Sequence, residues 1–166
     1  MTKIKMVWAE DQKHAIGKDG STPWHMPDDL KLFREETTNT LMIMGRTTWL
    51  SIGRPLPNRT SLVLTTQRDW STAFDDVLIA HSVEEVLKLI QTEKRDISIA
   101  GGASIYQAFM PYATELVVTR IDGIINGDTF VDPIDLSEFE LVSKQLHEKD
   151  EKNDYGFVVE RYKRKN

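Results

Sequence analysis

The chain is predicted to adopt an α/β fold: a mixed, mostly parallel central sheet flanked by helices and ending in an antiparallel C-terminal hairpin. Three observations predict it. Short apolar runs rich in Val, Ile and Leu alternate with helix-periodic stretches as far as Ile121, the arrangement expected when helices cover a largely parallel sheet. Beyond Asp135 the pattern becomes two β-rich runs joined by a polar stretch holding Asn153, Asp154 and Gly156, which reads as a hairpin. With 166 residues, 40% of them apolar, and no shift in composition, one substantial core and a single domain over 1–166 are expected.

The first strand spans Ile4 to Ala9; it is too short, and too interrupted by Lys5, for a signal sequence, and no later run could cross a bilayer. A helix follows from Pro27 to Thr37, since proline suits the first helical position and apolar residues recur at helical spacing. Leu41 to Gly45 is a strand that runs into a short helix after Arg46. Ser61 to Leu64 and Val77 to Ala80 are strands, the second leading to a helix over Val83 to Gln91. Ile97 to Ala100 leads through two glycines into a helix over Ala103 to Met110, which stops near Pro111. Glu115 to Ile121 completes the central strands, Phe139 to His147 and Phe157 to Lys163 form the hairpin, and Lys163-Arg164-Lys165 reads as a solvated tail.

A net charge of −5 without a long basic run argues against a nucleic-acid groove or an anionic membrane surface as partner. The chain has no cysteine, which removes disulfides, thiol catalysis and thiolate metal sites and suits a reducing cytoplasm. His14, His25, His81 and His147 are scattered without carboxylates at helical or strand spacing, so no metal centre is expected.

The most informative segment runs from Thr22 to Phe33. Counting from Pro27 at the helical angle groups Met26, Asp29, Leu30 and Phe33 in one arc of about 100 degrees, with Asp28, Lys31 and Glu35 opposite. Asp29, and not Asp28, is therefore the carboxylate turned inward among apolar side chains, a costly placement unless a ligand uses it. An acid at a helix start is also favoured by the macrodipole.

Two strand-to-helix turns suit an anion. In Met42 to Trp49, Arg46 follows Gly45 where free backbone N–H groups already favour negative charge. In Ser98 to Tyr106, Gly101-Gly102 lets the main chain approach a ligand closely, although a purely structural turn is equally open. Neither turn matches the dinucleotide fingerprint or the Walker loop. The stiff loop Ser51 to Arg59 offers Arg59 as a clamp for a carboxylate, or simply as a surface arginine.

Trp8-Ala9, Ile16-Gly17, Pro23-Trp24, Asp29, Phe33, Gly45-Arg46, Gly53-Arg54-Pro55-Leu56-Pro57, Gly101-Gly102 and Thr119, in this order and spacing over nearly the whole chain, closely resemble dihydrofolate reductase. The resemblance implies reduction of dihydrofolate to tetrahydrofolate, with hydride passing from NADPH to C6 of the pterin and a proton reaching N5. It implies that Asp29 accepts the ring N–H and exocyclic amino group of the pterin bidentately, with Thr119 holding the same edge and Trp24 beside them as a catalytic residue. Val7, Trp8, Ala9, Leu30, Phe33, Ile52, Leu56 and Ala100 form the substrate's walls, and Arg59 binds the α-carboxylate of its glutamate.

On the cofactor side the resemblance implies Ala9, Ile16 and Gly17 at the nicotinamide. Gly45, Thr47, Thr48, Gly101, Gly102, Ala103, Ser104, Ile105 and Tyr106 lie at the pyrophosphate turns. Arg46, Leu64, Thr65 and Thr66 lie at the adenosine 2′-phosphate. The chain departs from common relatives in carrying Thr47 after the matched arginine and in placing Ser104 where some have arginine; Arg68 is a candidate to compensate. The polar loop Glu10 to Thr22, with Gly17 and Gly20, resembles a mobile loop that closes over both ligands, Asp128 accepting backbone hydrogen bonds from around Gly17. A monomer that binds dihydrofolate and antifolate-like molecules is implied. A riboflavin-pathway pyrimidine reductase and a noncatalytic nucleotide-binding module are the competing readings.

Overall fold

The computed structural model describes residues 2–19 and 22–166, so Gly20 lies outside the described residues. Its strands are β1 (Ile4–Glu10), β2 (Ala15–Gly17), β3 (Leu41–Gly45), β4 (Thr60–Leu64), β5 (Leu78–Ala80), β6 (Ile97–Ile99), β7 (Glu115–Ile121), β8 (Thr129–Phe130), β9 (Phe139–His147) and β10 (Phe157–Arg164). The helices are α1 (Pro27–Thr37), α2 (Arg46–Ile52), α3 (Val83–Thr92) and α4 (Ala103–Phe109). None of the helices is long and apolar enough to cross a membrane.

Eight strands form one sheet in the order β5-β4-β3-β6-β1-β7-β10-β9. Pairing is parallel from β5 to β7, and β10 joins β7 antiparallel before the hairpin to β9. Strands buried on both faces need apolar side chains in both directions, which is why β3 reads as a continuous run: Leu41, Met42, Ile43 and Met44 are all buried. On one face α3 and α4 pack Val86, Ile90, Ile105 and Phe109 onto Ile4, Met6, Ile43 and Leu116. On the other, Phe33 of α1 and Trp49 of α2 meet Val7, Val117, Met42, Met44 and Val63. The strand β6 returns to the gap between β1 and β3, and β7 is laid on the other side of β1. Connections therefore leave the middle of the sheet in both directions, opening a crevice at the carboxyl ends of β1, β3 and β6.

Four expectations are corrected. The segment Glu10 to Thr22 is more than a loop, because β2 pairs antiparallel with β8 in a separate two-stranded sheet; strands this short carry no readable alternation. The fourth helix ends at Phe109 and tightens into a 3-10 turn over Met110–Tyr112, with Pro111 inside it, since proline is tolerated where no backbone donor is needed. The C-terminal basic residues are structural: Arg164 lies in β10, donates to Ala113 O at 2.7 Å and Met110 O at 2.6 Å, and stacks 4.4 Å above Phe139. Finally, two histidines do meet carboxylates. His14 Nδ1 bonds Glu10, four residues earlier and so at a helical spacing that is present in the sequence but used here across a tight turn; His147 Nε2 lies 3.0 Å from Asp28 across the fold, a contact that local periodicity does not encode.

Candidate active site

The crevice widens into a cleft of about 1210 Å³. Asp29 is the only carboxylate among the described residues that line it, against Arg34, Arg46 and Arg54. Such a cleft favours anionic ligands, and its single carboxylate sits where a ligand's donors would have to be met.

Asp29 is placed by the first turn of α1, with Pro27 at the helix start and the Asp29 N–H donating to Met26 O at 3.1 Å. Met26 is buried against Val7 and Val117 while Phe33 packs beneath the helix, so the arc read from sequence is the one that faces the sheet and cleft. Leu30 departs from it: the side chain is 50% exposed, because this edge of the arc faces the open cleft and not the core. The hydroxyl of Thr119, buried in β7, donates to Asp29 Oδ1 at 2.7 Å. Burial pushes the Asp29 carboxyl above its ordinary range, and the Thr119 hydrogen bond only partly opposes that. Burial, then the nearby Asp29 charge, likewise push up the Tyr106 hydroxyl, which stays protonated and donates to Val7 O at 2.7 Å.

The walls combine Val7, Trp8, Ala9, Trp24, Leu30, Phe33, Ile52, Leu56 and Ala100. Trp8 is fixed from behind, its indole N–H donating to the buried Glu10 at 2.9 Å, and Glu10 is held in turn by Arg120 at 3.1 Å and by His14. In the other arm, Ile16, Gly17, Gly45, Arg46, Thr47, Thr48, Leu64, Thr65, Thr66, Gly101, Gly102, Ala103, Ser104, Ile105 and Tyr106 line the surface. The floor of this arm requires glycine. At Gly101, with φ +106, a Cβ would sit 3.0 Å from the Tyr106 hydroxyl oxygen, whereas one at Gly102 would meet only Thr48 Oγ1 at 3.9 Å. The first peptide group is thus pressed against the ring and the second presents open main chain to the cleft. Helices α2 and α4 begin here without a side-chain cap, leaving first-turn N–H groups among arginine, threonine and serine donors. Main chain, hydroxyls and a guanidinium without carboxylates are a donor set that fits a pyrophosphate and a further phosphate.

Thr119 and Arg59 are the expected site residues that do not line the cleft. Thr119 acts from behind, through Asp29. Arg59 is fastened to the end of α1: its guanidinium donates to Thr37 Oγ1 at 2.5 Å, Thr38 Oγ1 at 3.1 Å, Arg34 O at 3.1 Å and Pro57 O at 2.9 Å. Burial, then the Arg34 charge, lower its pKa; among the described residues it forms no ion pair. Arg68 is exposed and does not line the cleft.

Residues that sequence reasoning passed over also line it, among them His81, Ser82 and Gln67. Arg46 donates to Gln67, and His81 Nδ1 lies 2.9 Å from Thr65 O. His81 directly follows a readable strand, and ligand sites gather at strand carboxyl ends, so the signal was there. The loop partner is as expected: Asp128 Oδ2 accepts from the Asp19 N–H at 2.9 Å, and the Asp128 N–H donates to Gly17 O at 3.0 Å.

Comparison with known proteins gives one family. The family described as dihydrofolate reductase matches residues 3–164. The dihydrofolate reductase of Bacillus subtilis is 38% identical over 163 residues, covering 98% of this chain and 95% of that protein. That of Enterococcus faecium is 36% identical over 159 residues, covering 95% of each. A solved structure of dihydrofolate reductase from Enterococcus faecalis, complexed with NADP(H) and RAB-propyl, superposes with a TM-score of 0.92 at 39% identity, over 99% of this chain and 97% of that one.

Proposed function

The chain belongs to the dihydrofolate reductase family, and from that premise we infer that its cleft performs NADPH-dependent reduction of dihydrofolate to tetrahydrofolate. Asp29 carries this reading: the lone carboxylate among the described residues lining an arginine-bearing cleft, bonded to Thr119 at 2.7 Å. A pterin presents a ring N–H beside an exocyclic amino group, and Asp29 accepts both, one from each oxygen. Thr119 fixes the carboxylate's rotation for that pairing. Val7, Leu30, Phe33, Ile52 and Ala100 hold the ring and exclude water, so that C6 is presented in one orientation.

The donor arm fits NADPH, which when bound supplies the hydride that C6 receives. Gly101, Gly102, Ala103, Ser104 and Thr48 hold its pyrophosphate, Arg46, Thr65 and Thr66 its 2′-phosphate, and Ala9 with Ile16 its carboxamide. Asp29 acts on N5 through its charge, the proton arriving by water, while Trp24 closes the wall above. Arg59, held by Thr37 and Thr38, takes the substrate's α-carboxylate at the rim. The same reading makes the chain one domain, a monomer of the cytoplasm whose partners are dihydrofolate and antifolate-like molecules, without nucleic acid or membrane. Its net charge of −5 and lack of cysteine support that.

The test is NADPH oxidation by purified protein with and without dihydrofolate, beside Asp29→Asn prepared identically. Dihydrofolate-dependent turnover that falls at least about 100-fold in the variant, with NADPH binding retained, is the expected result. A folded wild type that binds NADPH without turnover would return the pyrimidine reductase or the noncatalytic module.

A further inference from the structure

We propose that Asn153 is a positioning residue for Asp29, acting from the C-terminal hairpin as the cap that α1 cannot provide for itself. The proposal rests on the assignment of Asp29 made above. Helix α1 is preceded at its cap position by Met26, whose side chain accepts no cap hydrogen bond; a Met-Pro start leaves the first-turn donors without the usual serine or aspartate. The Asp28 N–H is satisfied instead by Asn153 Oδ1 at 3.2 Å, from 125 residues along the chain.

The other end of the amide completes the grip. Asn153 Nδ2 donates to Asp28 Oδ2 at 2.9 Å and to Asp150 Oδ1 at 2.9 Å, and the Asn153 N–H donates to Asp150 Oδ1 at 3.0 Å. Asn153 is 2% exposed, and a buried amide is retained only where both ends are paired. Asp28, His147 and Asp150 bring acceptor and ring atoms within 4.8 Å of one another, and the amide supplies the positive end of a dipole to both carboxylates. His147 Nε2, 3.0 Å from Asp28, is steadied by stacking on Phe157 at 4.5 Å. One residue further, Asp154 Oδ2 accepts from the His25 N–H at 2.8 Å and the Asp154 N–H donates to His25 O at 2.9 Å.

Residues 25 and 28 are thus held by the hairpin on both sides of the helix start, and the next residue is Asp29. Asn153, Asp28, Asp150 and His147 do not line the cleft, so they reach the ligand only through the helix. A two-pronged carboxylate contact tolerates displacements of about 0.5 Å and rotations of about 10–20 degrees, which a helix start without its cap does not maintain.

The experiment uses the full chain and compares wild type, Asn153→Ala and the exchange Asp28→Asn with Asn153→Asp and Asp150→Asn. The exchange keeps an acceptor for the residue-28 N–H, reverses the side-chain hydrogen bond, and replaces the Asp150 carboxylate that lies 2.9 Å from the residue-153 side chain and would repel a second carboxylate there. Asn153→Ala should lower kcat and raise the dihydrofolate KM, together costing about tenfold in kcat/KM, while NADPH affinity, read from tryptophan fluorescence, stays within about twofold. The exchange should bring kcat/KM back to within about threefold of wild type. Unchanged kcat/KM in Asn153→Ala overturns the proposal, as does an equal loss of NADPH affinity. If Asn153→Ala does not fold, the exchange decides alone: near-wild-type kcat/KM supports the cap, and its loss overturns it. A wild type without dihydrofolate-dependent NADPH oxidation overturns the assignment of Asp29 itself, and this proposal with it.

Discussion

Burial makes the charged form of Asp29 costly, and that has a consequence for stability before any ligand arrives. Burial raises the folded-state pKa above the 3.8 of an unstrained aspartate, with only the Thr119 hydroxyl in opposition. Between the unfolded and folded values the folded state binds more protons, so stability falls as pH rises through that window and stays lower above it. Asp29→Asn removes the penalty while keeping the shape and an acceptor for Thr119. The ligand-free variant should therefore melt higher than wild type near neutral pH, by about 0.5–2 kcal/mol, the range of common stabilising substitutions, or about 2–4 °C per kcal/mol. Below about pH 4 the two should converge. Thermal scans at both pH values check this, and a lower melting temperature for Asp29→Asn at neutral pH would contradict it. The helical angle was enough to choose Asp29 over Asp28, because both lie in one local element. Thr119 was legible only through the family resemblance, since a partner 90 residues away leaves no trace in local periodicity.

The elements that sequence made readable are those whose burial is uniform or regular: α1 runs over Pro27–Thr37 as the pattern implied, and the buried strands stand out as apolar runs. The small sheet of β2 and β8 was missed, yet it ties the segment beside the cleft to the loop at Asp128. Gly127 is required at that junction, since a Cβ there would lie 2.5 Å from Gly17 O. Asp128 then accepts from the Asp19 N–H and the Thr129 hydroxyl, which together hold its carboxyl below the usual range. An exposed pair of this kind adds little to global stability, but it biases where the loop rests. Asp128→Ala should leave the melting temperature nearly unchanged and slow hydride transfer by about tenfold, as expected for a loop whose misplacement disturbs alignment. Single-turnover kinetics at saturating ligands check it; an unchanged transfer rate together with unchanged ligand release would dissociate the loop from the chemistry.

At the scale of the whole molecule, what local patterns left open is strand order, because one list of strands is compatible with many sheets until long-range side chains choose among them. Glu36 shows how that choice is fastened. Near the C-terminal end of α1 it meets Lys5 of β1 at 2.6 Å and Arg161 of β10, joining the helix to two strands that are not neighbours in the sheet. Burial pushes the Glu36 carboxyl up, but the hydrogen bonds from Arg161 and Lys5 outweigh it, and the folded pKa lies below 4.5. A depressed carboxyl stabilises fully above its unfolded pKa, and that contribution is lost as pH falls from about 4.5 through the folded value. The two ends of α1 therefore carry opposite signs: Asp29 destabilises as pH rises, and Glu36 destabilises as pH falls. Arg161 is 42% exposed, so solvent screening limits that contact, while Lys5 at 22% is screened less; the two together contribute at least about 1 kcal/mol, or at least about 2–4 °C. Glu36→Gln should melt lower than wild type by that amount near neutral pH, and the gap should close as pH is lowered towards about 3, where wild-type Glu36 is protonated too. If melting temperatures of the two proteins stay parallel from neutral to acid pH, the charge on Glu36 does not fasten α1 to the sheet, and packing of Phe33 and Thr37 alone holds the helix in register.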